Sequence, residues 1–181
     1  SPMALKATIY RANDNVSDLD NNLYSDHSFT IARHPSETEE RMMVRLLAFA
    51  LNASESLEFG RGLSSDEDPA LWDRDLTGVV RTWIEVGQPD ERLLRRACGR
   101  ADKVILYAYG RGLDQWWLQN SKALEKQDKL EVWRIKPEDC SAMAALAERG
   151  MQLQCTIQDG HAMLAADSDT LQIEPERLKA S

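Results

Sequence analysis

Three acidic residues stand where carboxylates could do metal or acid–base chemistry. Glu40 lies near the start of a predicted helix, Asp75 lies in the segment WDRDLTG, and Glu85 lies in the segment TWIEVGQ. An acidic side chain within an apolar strand is costly to bury unless it is paired or bound to a metal. Glu85, between Ile84 and Val86, is therefore the strongest single candidate for a functional carboxylate.

A structural interpretation of Glu85 stays open beside the functional one. The side chain could lie on the solvent face of an antiparallel strand, or pair with Arg95 or Arg96. The common signatures of nucleotide phosphate loops, dinucleotide binding, zinc proteases and serine hydrolases are all absent from the chain. The three histidines are isolated from any nucleophile, which favours structural roles for them.

The elements that must position these residues follow from hydrophobic spacing. Ser36 and Glu39 form a capping box for a helix over 38–51, and Glu40 lies at the edge of its buried face. Glu37, Arg41 and Arg45 are expected on the opposite, solvated face. Strands near 57–63 and 77–88, a helix near 90–98 and a strand near 104–109 follow, and the last is apolar enough to be central in a sheet.

Further strands flank this central part. Alternation predicts strands around Leu5 to Tyr10 and around Phe29 and Ile31, with the stretch 13–20 as a connection. A helix over 114–126, a strand over 130–135 and a helix over 137–149 give a β-α-β-α order. The Asp159-Gly160 turn then predicts a hairpin, and Leu171 and Ile173 suit another strand. The prediction is a mixed α/β fold in a single domain, residues 1–181, with a central mixed sheet flanked by helices.

Composition sets limits on partners. The chain has 181 residues and a net charge of −8, which excludes a general polycation that coats nucleic acid or anionic membrane. A local basic groove for nucleic acid, or a surface for a protein partner, remains compatible with that charge. No apolar window approaches the roughly 20 residues of a membrane helix, and three widely spaced cysteines suit a reducing compartment, so a cytoplasmic protein is expected. Cys98, Cys140 and Cys155 are expected to be small apolar core residues.

Three segments resemble a known family. HPSETEERMM from His34, WIEVGQPD from Trp83 and LQCTIQDG from Leu153 are similar to those of the bacterial YaeQ family, and the likeness runs the whole length of the chain. The resemblance implies a variant of the PD-(D/E)XK nuclease core, the αβββαβ arrangement of type II restriction endonucleases. The predicted order of elements from 38 to 109 agrees with that arrangement.

The resemblance also implies a site. In the nuclease superfamily an Asp and a second acid from the next strand hold Mg²⁺ or Mn²⁺, and a Lys two residues later helps to activate water. Asp75 matches the first acid, Glu85 the second, and Glu40 an accessory helix carboxylate. Gly87 stands at the Lys position, and a bulge there would turn Gln88 toward the Glu85 face, where it could orient water.

Two functions follow from these expectations. The first is a Mg²⁺-dependent phosphodiesterase or nuclease, and the second is a catalytically inactive nuclease-fold protein that binds or regulates a partner. Trp116-Trp117 could anchor a partner, although its helical spacing favours a half-buried core position. Arginines at five positions are candidates for a phosphate track: Arg61, Arg95, Arg96, Arg100 and Arg111.

Overall fold

The structure is a computed structural model that describes residues 6–64, 67–167 and 169–181. Its strands are β1 (Thr8–Asp18), β2 (Leu23–Arg33), β3 (Leu57–Phe59), β4 (Leu71–Arg74), β5 (Val80–Val86), β6 (Ala101–Ala108), β7 (Leu130–Arg134), β8 (Gly150–Gln158), β9 (His161–Ala166), β10 (Asp169–Ile173) and β11 (Glu176–Lys179). Its helices are α1 (Glu39–Leu51), α2 (Glu91–Arg100), α3 (Leu113–Leu124) and α4 (Pro137–Ala145), with a short 3₁₀ turn at Gly62–Ser64.

The chain forms two compact units, each with its own mixed sheet. The mixed α/β class is confirmed, but the prediction of one central sheet is wrong, because the strands divide between two sheets. The first unit takes residues up to 53 and 138–174, and the second takes 54–137 and 175–181. The prediction of a single domain over 1–181 stays a prediction. No helix in the described ranges is long and apolar enough to cross a membrane.

The sheet of the first unit has the strand order β10-β9-β8-β1-β2. β1 pairs antiparallel with β2 and parallel with β8, so the β1–β2 hairpin lies beside a later three-stranded meander. One face is apolar and packs against α1, where Phe49 makes edge contacts with the rings of His27 and Phe29. The hairpin at Asp159-Gly160 and the strand containing Leu171 are confirmed. Leu5, part of the first predicted strand, lies outside the described residues.

The prediction of a connection over 13–20 is wrong, because β1 runs to Asp18. Asn and Asp are poor strand formers, which is why the segment reads as a loop. Its alternation is nevertheless regular: Asp14 and Val16 are buried, while Asn13 and Asn15 face outward. Pairing on both sides, with β2 and β8, stabilises a strand that local propensity disfavours.

Helix α1 starts two residues later than the capping box predicted. Thr38 is the N-cap, and its side-chain oxygen accepts a hydrogen bond from the Arg41 backbone N–H. The expectation that Glu37 and Arg45 are solvated is also wrong, since Glu37 is only 3% exposed and Arg45 6% exposed. Glu37 forms ion pairs with both Arg41 and Arg45, so the charged residues of this helix form a buried cluster.

The sheet of the second unit has the order β11-β7-β6-β5-β4-β3. Strands β3, β4 and β5 form an antiparallel meander, and β5, β6 and β7 are parallel with α2 and α3 as crossovers. β6 is interior, as its apolar sequence predicts. Helices α2 and α3 pack on one face of this sheet, and the half-buried Trp116 and Trp117 contact the same apolar cluster. The core position of the two tryptophans is confirmed.

Candidate functional site

Glu85 lies near the end of β5 on the face that α2 and α3 cover. The residue is 7% exposed, so the prediction that it could lie on a solvent face is wrong. Trp83, two positions earlier on the same face, donates its indole Nε1–H to Glu85 Oε1 at 2.9 Å. The indole N–H therefore offsets at least part of the free-energy cost of burying this carboxylate, and the burial does not by itself require a metal ion.

Asp75 lies in the turn between β4 and β5, outside both strands. Its Oδ1 accepts hydrogen bonds from the Thr77 hydroxyl, the Thr77 N–H and the Val79 N–H. The Thr77 hydroxyl is the largest cause that lowers the pKa of the Asp75 carboxyl below its ordinary value, and Arg81 at 3.8 Å acts in the same direction. These contacts give Asp75 the role of an Asx-type turn residue.

The structure does not bring Asp75 and Glu85 together. The Asp75 N–H donates to the Val79 carbonyl, so Asp75 lies beside the residue that immediately precedes β5. Glu85 is five residues beyond Val80 on that strand, and a rise of about 3.3 Å per residue puts it about 16 Å away along β5. The resemblance implies that the two carboxylates lie close enough to share one metal ion. The structure corrects this arrangement, because the carboxylates lie near opposite ends of β5.

Gln88 follows the strand and holds two loops together. β5 ends at Val86, and Gly87 turns the chain with a φ of +95°, so the expected bulge is instead the end of the strand. The Gln88 Nε2 group donates to the carbonyls of Tyr109 and Arg111, both at 3.0 Å. Both N–H groups of the amide are used in these contacts, so Gln88 has none left to donate to a water molecule.

We expect Gln88→Glu to lower the melting temperature of the protein. A carboxylate has no N–H to donate and would lie against two backbone carbonyls, which costs about 1–3 kcal/mol for the unsatisfied groups. Thermal unfolding followed by circular dichroism measures the change. Gln119→Glu, on the exposed face of α3, is the matched control and should leave the midpoint unchanged. Equal midpoints for Gln88→Glu and wild type would contradict the role of Gln88 as a clamp between loops.

Glu40 belongs to the other unit. It lies in the first turn of α1, where a carboxylate interacts favourably with the helix dipole, and it contributes to raising the pKa of the buried Cys140 thiol to about 12, after burial itself. Among the described residues, no group of three or more His, Cys, Asp or Glu side chains is placed to hold a metal ion. Asp75, Glu85 and Glu40 therefore do not together form the Mg²⁺ or Mn²⁺ site that the resemblance implies.

Comparison with known proteins identifies the family. A sequence model of the YaeQ protein matches residues 3–175. An uncharacterized protein YaeQ of Escherichia coli K12 is 47% identical over 172 residues, which are 94% of this chain and 95% of the relative. That of Salmonella typhi is 45% identical over 173 residues, 95% of this chain and 96% of the relative. This chain belongs to the YaeQ family.

Solved structures of YaeQ-family proteins have the same fold. The crystal structure of YaeQ protein from Xanthomonas axonopodis pv. citri superposes with a TM-score of 0.93 at 44% identity, over 97% of this chain and 99% of that chain. The structure of YaeQ protein from Pseudomonas syringae gives a TM-score of 0.93 at 35% identity, over 97% of each chain.

Asp68 is an acidic residue of this YaeQ-family chain that sequence reasoning missed. Leu71, the first residue of β4, pairs with Ile84, so the β4–β5 register brings the segment that contains Asp68 into the sheet at the Glu85 end of β5. Its carboxylate binds Arg61, whose side chain is the largest cause that lowers the pKa of Asp68. The sequence contains one signal that could have identified Asp68. It is the Asp-Pro dipeptide before an apolar strand, because such a dipeptide marks where a strand begins.

Three of the five candidate phosphate-track arginines are ion-paired. Arg61 binds Asp68 at 3.0 Å, Arg95 binds Glu91 at 3.4 Å and Arg100 lies 3.8 Å from Glu67. Within the described ranges, the side chains of Arg96 and Arg111 are exposed and make no hydrogen bond or ion pair. Three of the candidate arginines therefore already have an acidic partner within the chain, which the sequence alone does not show.

A groove of about 580 Å³ lies in the first unit, and none of the predicted site residues lines it. It runs over the outward face of β1, β2 and β8, where amide side chains line up in register across the strands. Several of these groups bind one another, as in the hydrogen bond from Ser28 Oγ to Asn13 Oδ1 at 2.7 Å. Its main polar lining residues are Asn13, Asn15, Asp26, Ser28, Gln152 and Gln154.

Proposed function

We propose that this protein is a nuclease-fold binding protein that does not cleave phosphodiester bonds. The observation that carries the proposal is the use of Gln88: its two N–H groups clamp the loop after β6 instead of facing a reaction site. Gly87 stands where the nuclease superfamily has a lysine, so the cationic charge that stabilises a phosphoryl transition state is missing from this strand.

The nuclease core itself is part of the proposal. The order α1, β3, β4, β5, α2, β6 has the αβββαβ sequence of the PD-(D/E)XK core. Within the second unit, the β3–β4–β5 meander followed by a helical crossover to a parallel β6 supports the same assignment. The proposed nuclease-like fold class rests on this order of elements. The proposed loss of catalysis rests on the residues at the end of β5.

The charge distribution supports a binding role for the second unit. Of the 22 basic and 30 acidic residues, 6 basic and 14 acidic lie in the first unit, and 16 of each lie in the second. The whole net charge of −8 thus belongs to the first unit. The second unit is neutral overall and rich in arginine, which permits a local surface for an anionic partner.

A Mg²⁺-dependent phosphodiesterase is the second candidate. The buried Glu85 carboxylate at the end of an apolar strand is the observation that favours it, because such a group is a common metal ligand. Asp68, by its register, is the acidic residue best placed to join it. The roles of Asp75 as a metal ligand and of Glu40 as an accessory carboxylate stay predictions.

A calorimetric Mn²⁺ titration and a cleavage assay separate the two candidates. We expect wild type to leave single- and double-stranded oligonucleotides uncut in Mn²⁺ or Mg²⁺, and Glu85→Gln to leave the heat of Mn²⁺ addition unchanged. Glu125→Gln is the matched control, since it removes one carboxylate charge at an exposed position of the same unit. Cleavage by wild type that Glu85→Gln abolishes and Glu125→Gln preserves would overturn the proposal in favour of the phosphodiesterase.

A further inference from the structure

The solvent face of α2 is a row of arginines. Arg92, Arg95, Arg96 and Arg100 are all exposed, whereas Leu94, Ala97 and Cys98 on the opposite side are buried in the apolar cluster. Spacings of three and four residues put the arginines on one face, about 4.5–6 Å apart along the axis. We call this set the α2 arginine row.

Few contacts within the chain neutralise the α2 arginine row. Arg92 and Arg96 make no side-chain hydrogen bond or ion pair with the residues that the structure describes. The pair of Arg95 with Glu91 and that of Arg100 with Glu67 both lie at the surface. Surface pairs contribute about 0–1 kcal/mol, so a phosphate group can displace them at little cost. The Arg100 guanidinium also lies over the Trp83 ring, 5.2 Å from its centroid, so Arg100 has two contacts within the chain.

The loop after β6 adds a further cation near one end of the row. Gln88, two residues before the Asp90 N-cap of α2, donates to the Arg111 carbonyl, so the clamp ties the Arg111 loop to the start of α2. Asp90 and Glu91 also lie at this end and would repel phosphate. The stretch from Arg92 to Arg100 is therefore the favourable part of the row.

Aromatic side chains lie on the neighbouring helix. α3 packs beside α2, and its half-buried Trp116 and Trp117 are stacked, with ring centroids 6.4 Å apart. Both rings pack in part against the apolar cluster, and they lie on the helix next to the one that carries the arginine row. Cations that contact phosphates and partly exposed rings on which bases stack are the combination by which proteins bind single-stranded nucleic acid.

We infer that the α2 arginine row, together with the Trp116–Trp117 pair, binds single-stranded nucleic acid. The row contains four arginines and no lysine, and the planar guanidinium group contacts phosphate through two parallel hydrogen bonds. An acidic peptide would use the arginines but leave the aromatic pair without a ligand, which makes it the weaker assignment. The inference depends on the proposed function in one respect, which is that the protein binds the strand without cutting it.

The test is fluorescence anisotropy with labelled oligo(U) and oligo(dT) of about 15 nucleotides, in EDTA so that no metal contributes. We expect Arg92→Gln combined with Arg96→Gln to weaken binding about tenfold at low salt. The slope of log affinity against log salt should also fall by about 1.4, because each single-strand phosphate contact contributes about 0.7. Lys6→Gln combined with Arg11→Gln, two exposed cations of the first unit, is the matched control and should change affinity less than about twofold.

Each outcome decides the inference. Weakening by the α2 double variant alone supports it, and equal binding of oligo(U) and oligo(dT) would show that the ribose 2′-hydroxyl does not contribute. No binding by wild type, equal weakening in both double variants, or stronger binding of a duplex, of poly-glutamate or of anionic vesicles would overturn it. Because the assay contains EDTA, cleavage found separately in Mn²⁺ would overturn the proposed function and leave this result standing.

Discussion

Glu37→Gln should lower the free energy of unfolding by about 3–5 kcal/mol, the cost of leaving a buried charge without its partner. Glu37 holds Arg41 and Arg45 through both carboxylate oxygens, each at 2.5 Å, and Arg45 is almost fully buried. Glutamine keeps the shape and removes the charge, so the guanidinium groups would lose their counter-ion. In a protein of this size the melting temperature should fall by about 10 °C, which differential scanning calorimetry measures.

Two variants test the cause of that loss. Glu39→Gln removes a charge from an exposed position in the first turn of the same helix and should shift the midpoint by only about 1 °C. Glu37→Leu combined with Arg45→Met replaces the more deeply buried pair by apolar groups and should be more stable than Glu37→Gln, because Arg45 no longer leaves a buried charge unpaired and only the partly exposed Arg41 loses its counter-ion. A double variant less stable than Glu37→Gln would show that packing, not charge, explains the loss.

Asp14→Asn should stabilise the protein above about pH 7 and change its stability little near pH 4. Asp14 is 2% exposed on the apolar face of the first sheet, its Oδ1 has no hydrogen-bond partner, and burial raises its pKa to about 7. The folded state therefore holds this proton more tightly than the unfolded chain, whose carboxyl titrates near 3.9. Folding stability is lost as pH rises from about 4 to 7, by about 2–4 kcal/mol in total.

Melting temperatures of wild type and Asp14→Asn across this pH range measure the effect. The wild-type midpoint should fall relative to that of the variant as pH rises, and the difference should be constant above about pH 8. His27, which pairs with Asp14 across the strands, has a pKa lowered by burial, so it destabilises both proteins equally at low pH. Asp169→Asn at an exposed position is the control. Parallel pH profiles for wild type and Asp14→Asn would contradict the raised pKa.

Hydrophobic spacing predicts most of the regular elements of this fold. The apolar run of β6 identifies an interior strand, and Asp90 identifies the start of α2, because those signals are local. The predicted connection over 13–20 fails for the opposite reason. Asn and Asp are typical of loops, and only pairing with two neighbouring strands, one of them about 140 residues away, makes this segment part of β1.

The candidate functional site is also only partly predictable from sequence. The strand that contains Glu85 is predictable from sequence, but the position of Asp75 in a turn is seen only in the structure, and the distance between the carboxylates depends on the β4–β5 register. That register puts Asp68, not Asp75, at the Glu85 end of β5. The partner of Glu85 is an indole on its own strand, and nothing in residue types distinguishes that contact from a metal bond.

By itself the sequence determined the family, the α/β class and the identity of the acidic and basic residues available for chemistry, because segments such as WIEVGQPD and helical or alternating periods are properties of the chain alone. Only the tertiary structure decided which charges are buried and which are available. Glu37 and Arg45 are charged residues of the kind that is typical of a solvated helix face, yet packing buries them. Arg92 and Arg96, in contrast, stay exposed. Burial depends on which surfaces meet in the folded chain, and long-range contacts, not local sequence, determine that.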